Sequence, residues 1–95
     1  MKAAVFSTKR YDREFLSAAA DKTGHMLTFF DPRLAIETCK LAEGFVAVCT
    51  FVNDELDAEV VRQLAEGGVR LIAMRCAGFN NVDLEAAARY GIRVT

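Results

Sequence analysis

The sequence predicts an α/β fold built on a doubly wound parallel sheet, and two observations lead there. Apolar clusters of strand length alternate with stretches whose apolar residues recur at helical spacing. The resulting order is βαβαβαβαβ, and repeated β-α-β units imply a parallel sheet with helices on both faces. The 95 residues suffice for one small domain, and 53% of them are apolar, enough for a core.

The elements follow in order. Ala3-Ala4-Val5-Phe6 is the first strand. Residues 11–23 form a helix on which Tyr11, Phe15, Leu16, Ala19 and Ala20 share a face, and Gly24 stops it. Met26-Leu27-Thr28-Phe29-Phe30 is the second strand, closed by Asp31-Pro32, and residues 34–41 form a short helix. Phe45-Val46-Ala47-Val48-Cys49 reads as a strand buried on both faces. Asp57 caps the next helix, with Val60, Val61 and Leu64 as its inner stripe and Gly67-Gly68 as its end. Val69-Arg70-Leu71-Ile72-Ala73-Met74 is the fourth strand. Asn81 caps a last helix carrying Val82, Ala86, Ala87 and Tyr90, which ends at Gly91. Ile92-Arg93-Val94-Thr95 starts a fifth strand.

Right-handed crossovers leave few topologies, and a flavodoxin-like sheet of strand order 2-1-3-4-5 is expected. The sequence stops three residues after Ile92, inside that strand. Residues 1–95 are therefore expected to be the N-terminal part of a longer domain.

Charge and cysteine content narrow the function classes. The formal net charge is -1, from 12 basic and 13 acidic residues mixed along the chain. No basic cluster suggests nucleic acid as a partner. No apolar stretch approaches the ~18 residues of a membrane span, and the first residues do not form a signal peptide. Cys39, Cys49 and Cys76 are odd in number and widely spaced, without a metal-ligand or disulfide pattern. A reducing, cytoplasmic location is expected.

In an open parallel sheet, ligands bind beyond the carboxyl ends of the strands. That rule selects Ser7-Thr8-Lys9-Arg10, Thr50-Phe51-Val52-Asn53-Asp54 and Arg75-Cys76-Ala77-Gly78-Phe79-Asn80-Asn81. In the third segment, Gly78 lets a ligand approach the backbone closely, and the amides near Ala77 and Gly78 precede a helix start. Arg75 adds a positive charge suited to an anion. A tight turn, with Arg75 held by Asp83 or by carbonyls, fits the same residues. Phe51 and Phe79 either line an apolar wall of the site or cover the sheet edge.

The remaining candidates read as structural. His25 lies on the amino side of the sheet as a turn residue, away from any place for a general base. Cys76 lacks a partner base and reads as a packed thiol, as does Cys49. The cluster Asp54-Glu55-Asp57 reads as helix capping and solvation rather than a metal site. No Gly-x-Gly-x-x-Gly or phosphate loop occurs, so the chain is not expected to bind NAD through its own glycines.

The stretch from Leu71 through Arg75-Cys76-Ala77-Gly78-Phe79-Asn80-Asn81-Val82-Asp83-Leu84 resembles the NAD-dependent D-2-hydroxyacid dehydrogenases. Within that family it is most similar to the fermentative D-lactate dehydrogenases of Gram-negative bacteria. Ser7-Thr8-Lys9-Arg10-Tyr11-Asp12 and Phe51-Val52-Asn53-Asp54 resemble the same proteins at matching places. The resemblance implies reduction of pyruvate to D-lactate with NADH, and a flavodoxin-like substrate domain interrupted by an inserted NAD-binding domain. It implies that Ala77 and Gly78 hold the substrate carboxylate through their amides and that Phe51 packs beside the substrate side chain. Arg75 and Phe79 belong to the same substrate-binding segment. The enzyme so implied is a homo-oligomer acting on a small 2-oxo or 2-hydroxy acid.

The chain lacks the family's catalytic arginine, glutamate and acid-base histidine, its glycine-rich NAD loop, and a substrate-touching tyrosine after the fifth strand. No catalytic, cofactor-binding or metal-ligating residue is therefore expected within residues 1–95, and the chain alone is expected to be inert. Three other readings fit less well. A phosphoacceptor receiver would need acidic residues where Ser7-Thr8 and Thr50-Phe51 stand. A stand-alone carboxylate-binding module, or another branch of the superfamily, remains compatible with the fold.

Overall fold

A computed structural model describes residues 2–8, 24, 26–51, 54–74 and 82–95. Its strands are β1 (Lys2–Val5), β2 (Met26–Phe29), β3 (Ala47–Thr50), β4 (Leu71–Met74) and β5 (Arg93–Val94). Helix α1 spans Ala58–Glu66, α2 spans Leu84–Arg89, and a short 3-10 helix spans Cys39–Ala42. The strands form one sheet in the order β2-β1-β3-β4-β5, and every pairing is parallel. The expected order is thus the observed one. The helix expected over residues 11–23 and His25 lie outside the described residues.

The sheet side chains alternate between two faces, as the strand period of two requires. Ala4, Phe6, Val48 and Ile72 share one core with Leu34, Cys39 and Ala42, with Val60, Val61 and Leu64 of α1, and with Ala86 and Ala87 of α2. Ala3, Val5 and Ala47, at the intervening positions, are also buried. Phe6 stacks on Phe30 with ring centroids 5.1 Å apart, and Phe30 meets Phe45 edge-on.

Helix α1 forms as its sequence dictates. Asp57 stands in extended conformation and its carboxylate accepts the Val60 amide at 3.0 Å, satisfying an N-terminal donor. Gly67 follows the helix as its C-cap, and Gly68 then takes a positive φ of 106°.

Four expectations need correction. Residues 34–41 do not form a helix. Thr38 Oγ1 donates to the Arg33 carbonyl at 2.6 Å and accepts the Ala35 amide at 3.0 Å. These local bonds compete with helical pairing, and only the 3-10 helix follows. The cap of α2 is Asp83, whose carboxylate accepts the Ala86 amide at 2.9 Å; Asn81 lies outside the described residues. Val82 precedes that helix, and Tyr90 stands at its C-cap, 37% exposed. Cys49 is only half-buried rather than a core residue. The strands are also shorter than the apolar runs that mark them: β3 starts at Ala47, with Val46 46% exposed.

Candidate functional site

Parallel pairing brings the carboxyl ends of β1, β3 and β4 to one edge. Thr50 pairs with Met74, so β3 and β4 end side by side. They are joined again further on. Leu56 and Val82 form an isolated parallel bridge, and the Asp83 amide donates to the Leu56 carbonyl at 2.9 Å. In sequence, residues 51–55 and 75–81 each fall between these two pairs.

Asp54 occupies the centre of the described part of this edge and is buried. Its Oδ1 accepts the Ser7 hydroxyl at 2.5 Å and the Leu34 amide at 2.7 Å, and its Oδ2 accepts the Phe51 amide at 2.7 Å. One carboxylate thus joins the segments that follow β1, β2 and β3. Hydrogen bonds from such donors compensate the desolvation of a buried carboxylate. The Asp54 amide donates back to the Phe51 carbonyl at 3.0 Å, and the Glu55 amide donates to the Leu34 carbonyl at 2.7 Å.

The turn after β1 is closed in the same way. Ser7 has φ 53°, a left-handed conformation uncommon outside glycine. Its amide donates to the Pro32 carbonyl at 3.0 Å, and the Thr8 amide donates to the Phe30 carbonyl at 3.2 Å. Thr8 Oγ1 lies 2.9 Å from the Val5 carbonyl and 3.0 Å from the Phe30 carbonyl. Such a turn, with no glycine and with its amides directed onto neighbouring carbonyls, does not fit the pyrophosphate of a dinucleotide.

Of the substrate-binding candidates, Phe51 lies at this edge, half-buried. Arg75, Ala77, Gly78 and Phe79, like Cys76, lie outside the described residues. Asp54 was expected to solvate and cap a helix; it is instead the buried acceptor of the edge, while Asp57 alone of its cluster caps α1. The sequence offers one signal for this. Ser7 and Asp54 follow strands that the expected order makes neighbours. Among the described residues, no group of three or more His, Cys, Asp or Glu side chains could hold a metal ion.

A cavity of about 420 Å³ opens elsewhere, between the 3-10 helix and the C-terminal half of α1. Cys39, Lys40, Glu43, Arg62, Gln63 and Gly67 contribute to its wall. It lies toward the amino ends of the strands, away from the edge where parallel sheets bind ligands. Burial pushes the Cys39 thiol above its usual pKa, and its sulfur lies 3.2 Å from Gln63 Oε1. No helix among the described residues is long and apolar enough to cross a membrane.

Comparison with known proteins is consistent across the whole chain. Residues 3–95 match the family described as D-isomer specific 2-hydroxyacid dehydrogenase, catalytic domain. The chain is 50% identical over 94 residues to the D-lactate dehydrogenase of Escherichia coli strain K12, covering 99% of this chain and 29% of that protein. It superposes on the apo structure of D-lactate dehydrogenase from Escherichia coli with a TM-score of 0.96, covering 99% of this chain and 30% of that one. For the Salmonella D-lactate dehydrogenase the TM-score is 0.95 at 50% identity, with coverage of 99% and 29%. The NAD-complexed D-isomer specific 2-hydroxyacid dehydrogenase of Lactobacillus delbrueckii ssp. bulgaricus gives a TM-score of 0.90 at 26% identity, covering 100% of this chain and 29% of that one. The chain thus spans less than a third of the length of these relatives. Fold, strand order and sequence place it within the catalytic domain of the D-isomer specific 2-hydroxyacid dehydrogenases, and it belongs to that family.

Proposed function

We propose that residues 1–95 are the N-terminal part of the substrate-binding domain of an enzyme that reduces pyruvate to D-lactate with NADH. The observation that carries this reading is the bracketing of residues 51–55 and 75–81 by the Thr50–Met74 and Leu56–Val82 pairs. It pairs the residues that flank Phe51 in sequence with those that flank the segment containing Ala77 and Gly78. In this reading the Ala77 and Gly78 amides donate to the substrate carboxylate, and Arg75 adds positive charge to the same side. Phe51 and Phe79 supply apolar surface beside the substrate side chain. These residues bind and orient a small 2-oxo acid, and none of them transfers a proton or hydride.

The nicotinamide cofactor supplies the hydride, and a separate domain of the enzyme holds it. The Ser7–Thr8 turn does not fit a dinucleotide, so no step of the reaction is assigned to it. The chain alone is therefore inert. The free thiol of Cys39 is in keeping with a cytoplasmic location for the enzyme, which acts as a homo-oligomer without nucleic-acid or membrane partners.

The test is NADH oxidation by the full-length enzyme with pyruvate and larger 2-oxo acids, followed by chiral separation of the product. Preferred turnover of pyruvate to the D isomer is expected. Failure to reduce any 2-oxo acid, or turnover by purified residues 1–95 alone, contradicts the proposal.

A further inference from the structure

We propose that Asp54 is a positioning residue that sets discrimination by substrate side-chain size, by fixing the backbone of Phe51. The inference rests on the reading above, in which Phe51 lies beside the substrate side chain. Asp54 holds Phe51 from both directions: its Oδ2 accepts the Phe51 amide at 2.7 Å, and its own amide donates to the Phe51 carbonyl at 3.0 Å. The other carboxylate oxygen is anchored on the Ser7 hydroxyl and the Leu34 amide. The place of Phe51 is therefore tied to two other segments through a buried group that lies outside the substrate pocket proposed here.

The two oxygens have separable duties. In Asp54→Asn, one acceptor becomes an amide donor. Whichever way that amide turns, either the Leu34 or the Phe51 backbone N–H meets a donor instead of an acceptor. Ser7 can rotate its hydroxyl to accept, but a backbone amide cannot. In Ser7→Ala, the Oδ1 anchor is weakened while the Oδ2 bond to Phe51 is retained. Glu55 supplies a neighbouring control: its exposed carboxylate pairs with Arg33 at 3.1 Å and lies outside this arrangement.

The experiment uses the full-length enzyme and measures kcat/KM for pyruvate and for 2-oxobutyrate, together with KM for NADH. Asp54→Asn should reduce the preference for pyruvate by about tenfold, the lower end of the effect of losing a hydrogen bond to a charged group. Ser7→Ala should reduce it in the same direction by about threefold, and it decides the matter if Asp54→Asn does not fold. Glu55→Gln should preserve the ratio, and KM for NADH should stay within twofold throughout. A purely structural role for Asp54 would lower both substrates equally. An active wild-type enzyme whose ratio is unchanged in the folded variants overturns the inference alone. A wild-type enzyme that reduces no 2-oxo acid overturns the functional reading, and the inference with it.

Discussion

Leu56 and Val82 pair across the carboxyl edge of the sheet, beyond the ends of the strands that lead to them. Both side chains are buried in the common core. The bridge therefore fixes Leu56 and Val82 side by side beyond the strand ends, and core packing helps to position the edge proposed to meet substrate.

Leu56→Ala should accordingly destabilise the fold. Truncating a fully buried leucine costs about 2–5 kcal/mol through lost burial and the cavity left behind. Urea denaturation should show that decrease. A loss below about 1 kcal/mol would mean that the bridge is supported without the Leu56 side chain.

Helix α1 carries a pH-dependent contribution on its exposed face. Hydrogen bonds from Arg62, then Gln63, hold the Glu59 carboxyl at about 2, against its ordinary value of 4.5. The folded-state pKa is lowered, so this contribution is present above about 4.5 and is lost as pH falls toward 2. Glu59→Gln should therefore lower the melting temperature slightly at pH 7 and have a smaller effect near pH 2. Because the group is exposed, added salt should shrink the difference. A difference that grows on acidification contradicts this account.

Gly68 is required by its backbone rather than by space. Its φ is 106°, and a Cβ added there would have no heavy atom within 4 Å. Gly68→Ala should cost about 1–3 kcal/mol through strain alone. A denaturation midpoint equal to or above the wild type would show that the turn relaxes to another conformation.

Cys39 should be a slow nucleophile in the folded protein. It is buried, and desolvation raises its pKa. Iodoacetamide at pH 8 followed by peptide mass spectrometry should find Cys39 largely unmodified until denaturant is added. Complete alkylation under native conditions would mean that the cavity beside it admits reagent freely.

The parallel order and α1 were legible in the sequence because both rest on short-range patterns. Asp57 caps a helix whose Val60, Val61 and Leu64 recur on one face, and that local arrangement is the observed one. The start of α2 was not legible. Asn81 and Asp83 are both good caps, and what selects the helix start at Leu84 is the use of Val82 in a bridge to Leu56, far away in sequence. Asp54 was misread for the same reason. Local reading joined it to Glu55 and Asp57, whereas it accepts hydrogen bonds from Ser7 and Leu34, 47 and 20 positions distant. The residues proposed to bind the substrate came from strand-end position, from glycine chemistry and from family resemblance; of these, only Phe51 is among the described residues.

The segment containing Ala77 and Gly78 is proposed to bind the substrate carboxylate. The most direct measurement is steady-state kinetics of Gly78→Val in the full-length enzyme. A β-branched side chain would crowd the ligand's approach and resist a positive φ. Strain of about 1–3 kcal/mol and loss of charge-assisted bonds worth about 1.5–3 kcal/mol together predict a fall of roughly two to four decades in kcat/KM for pyruvate. KM for NADH should change little. A folded Gly78→Val enzyme that keeps its kcat/KM and KM for pyruvate would contradict the account.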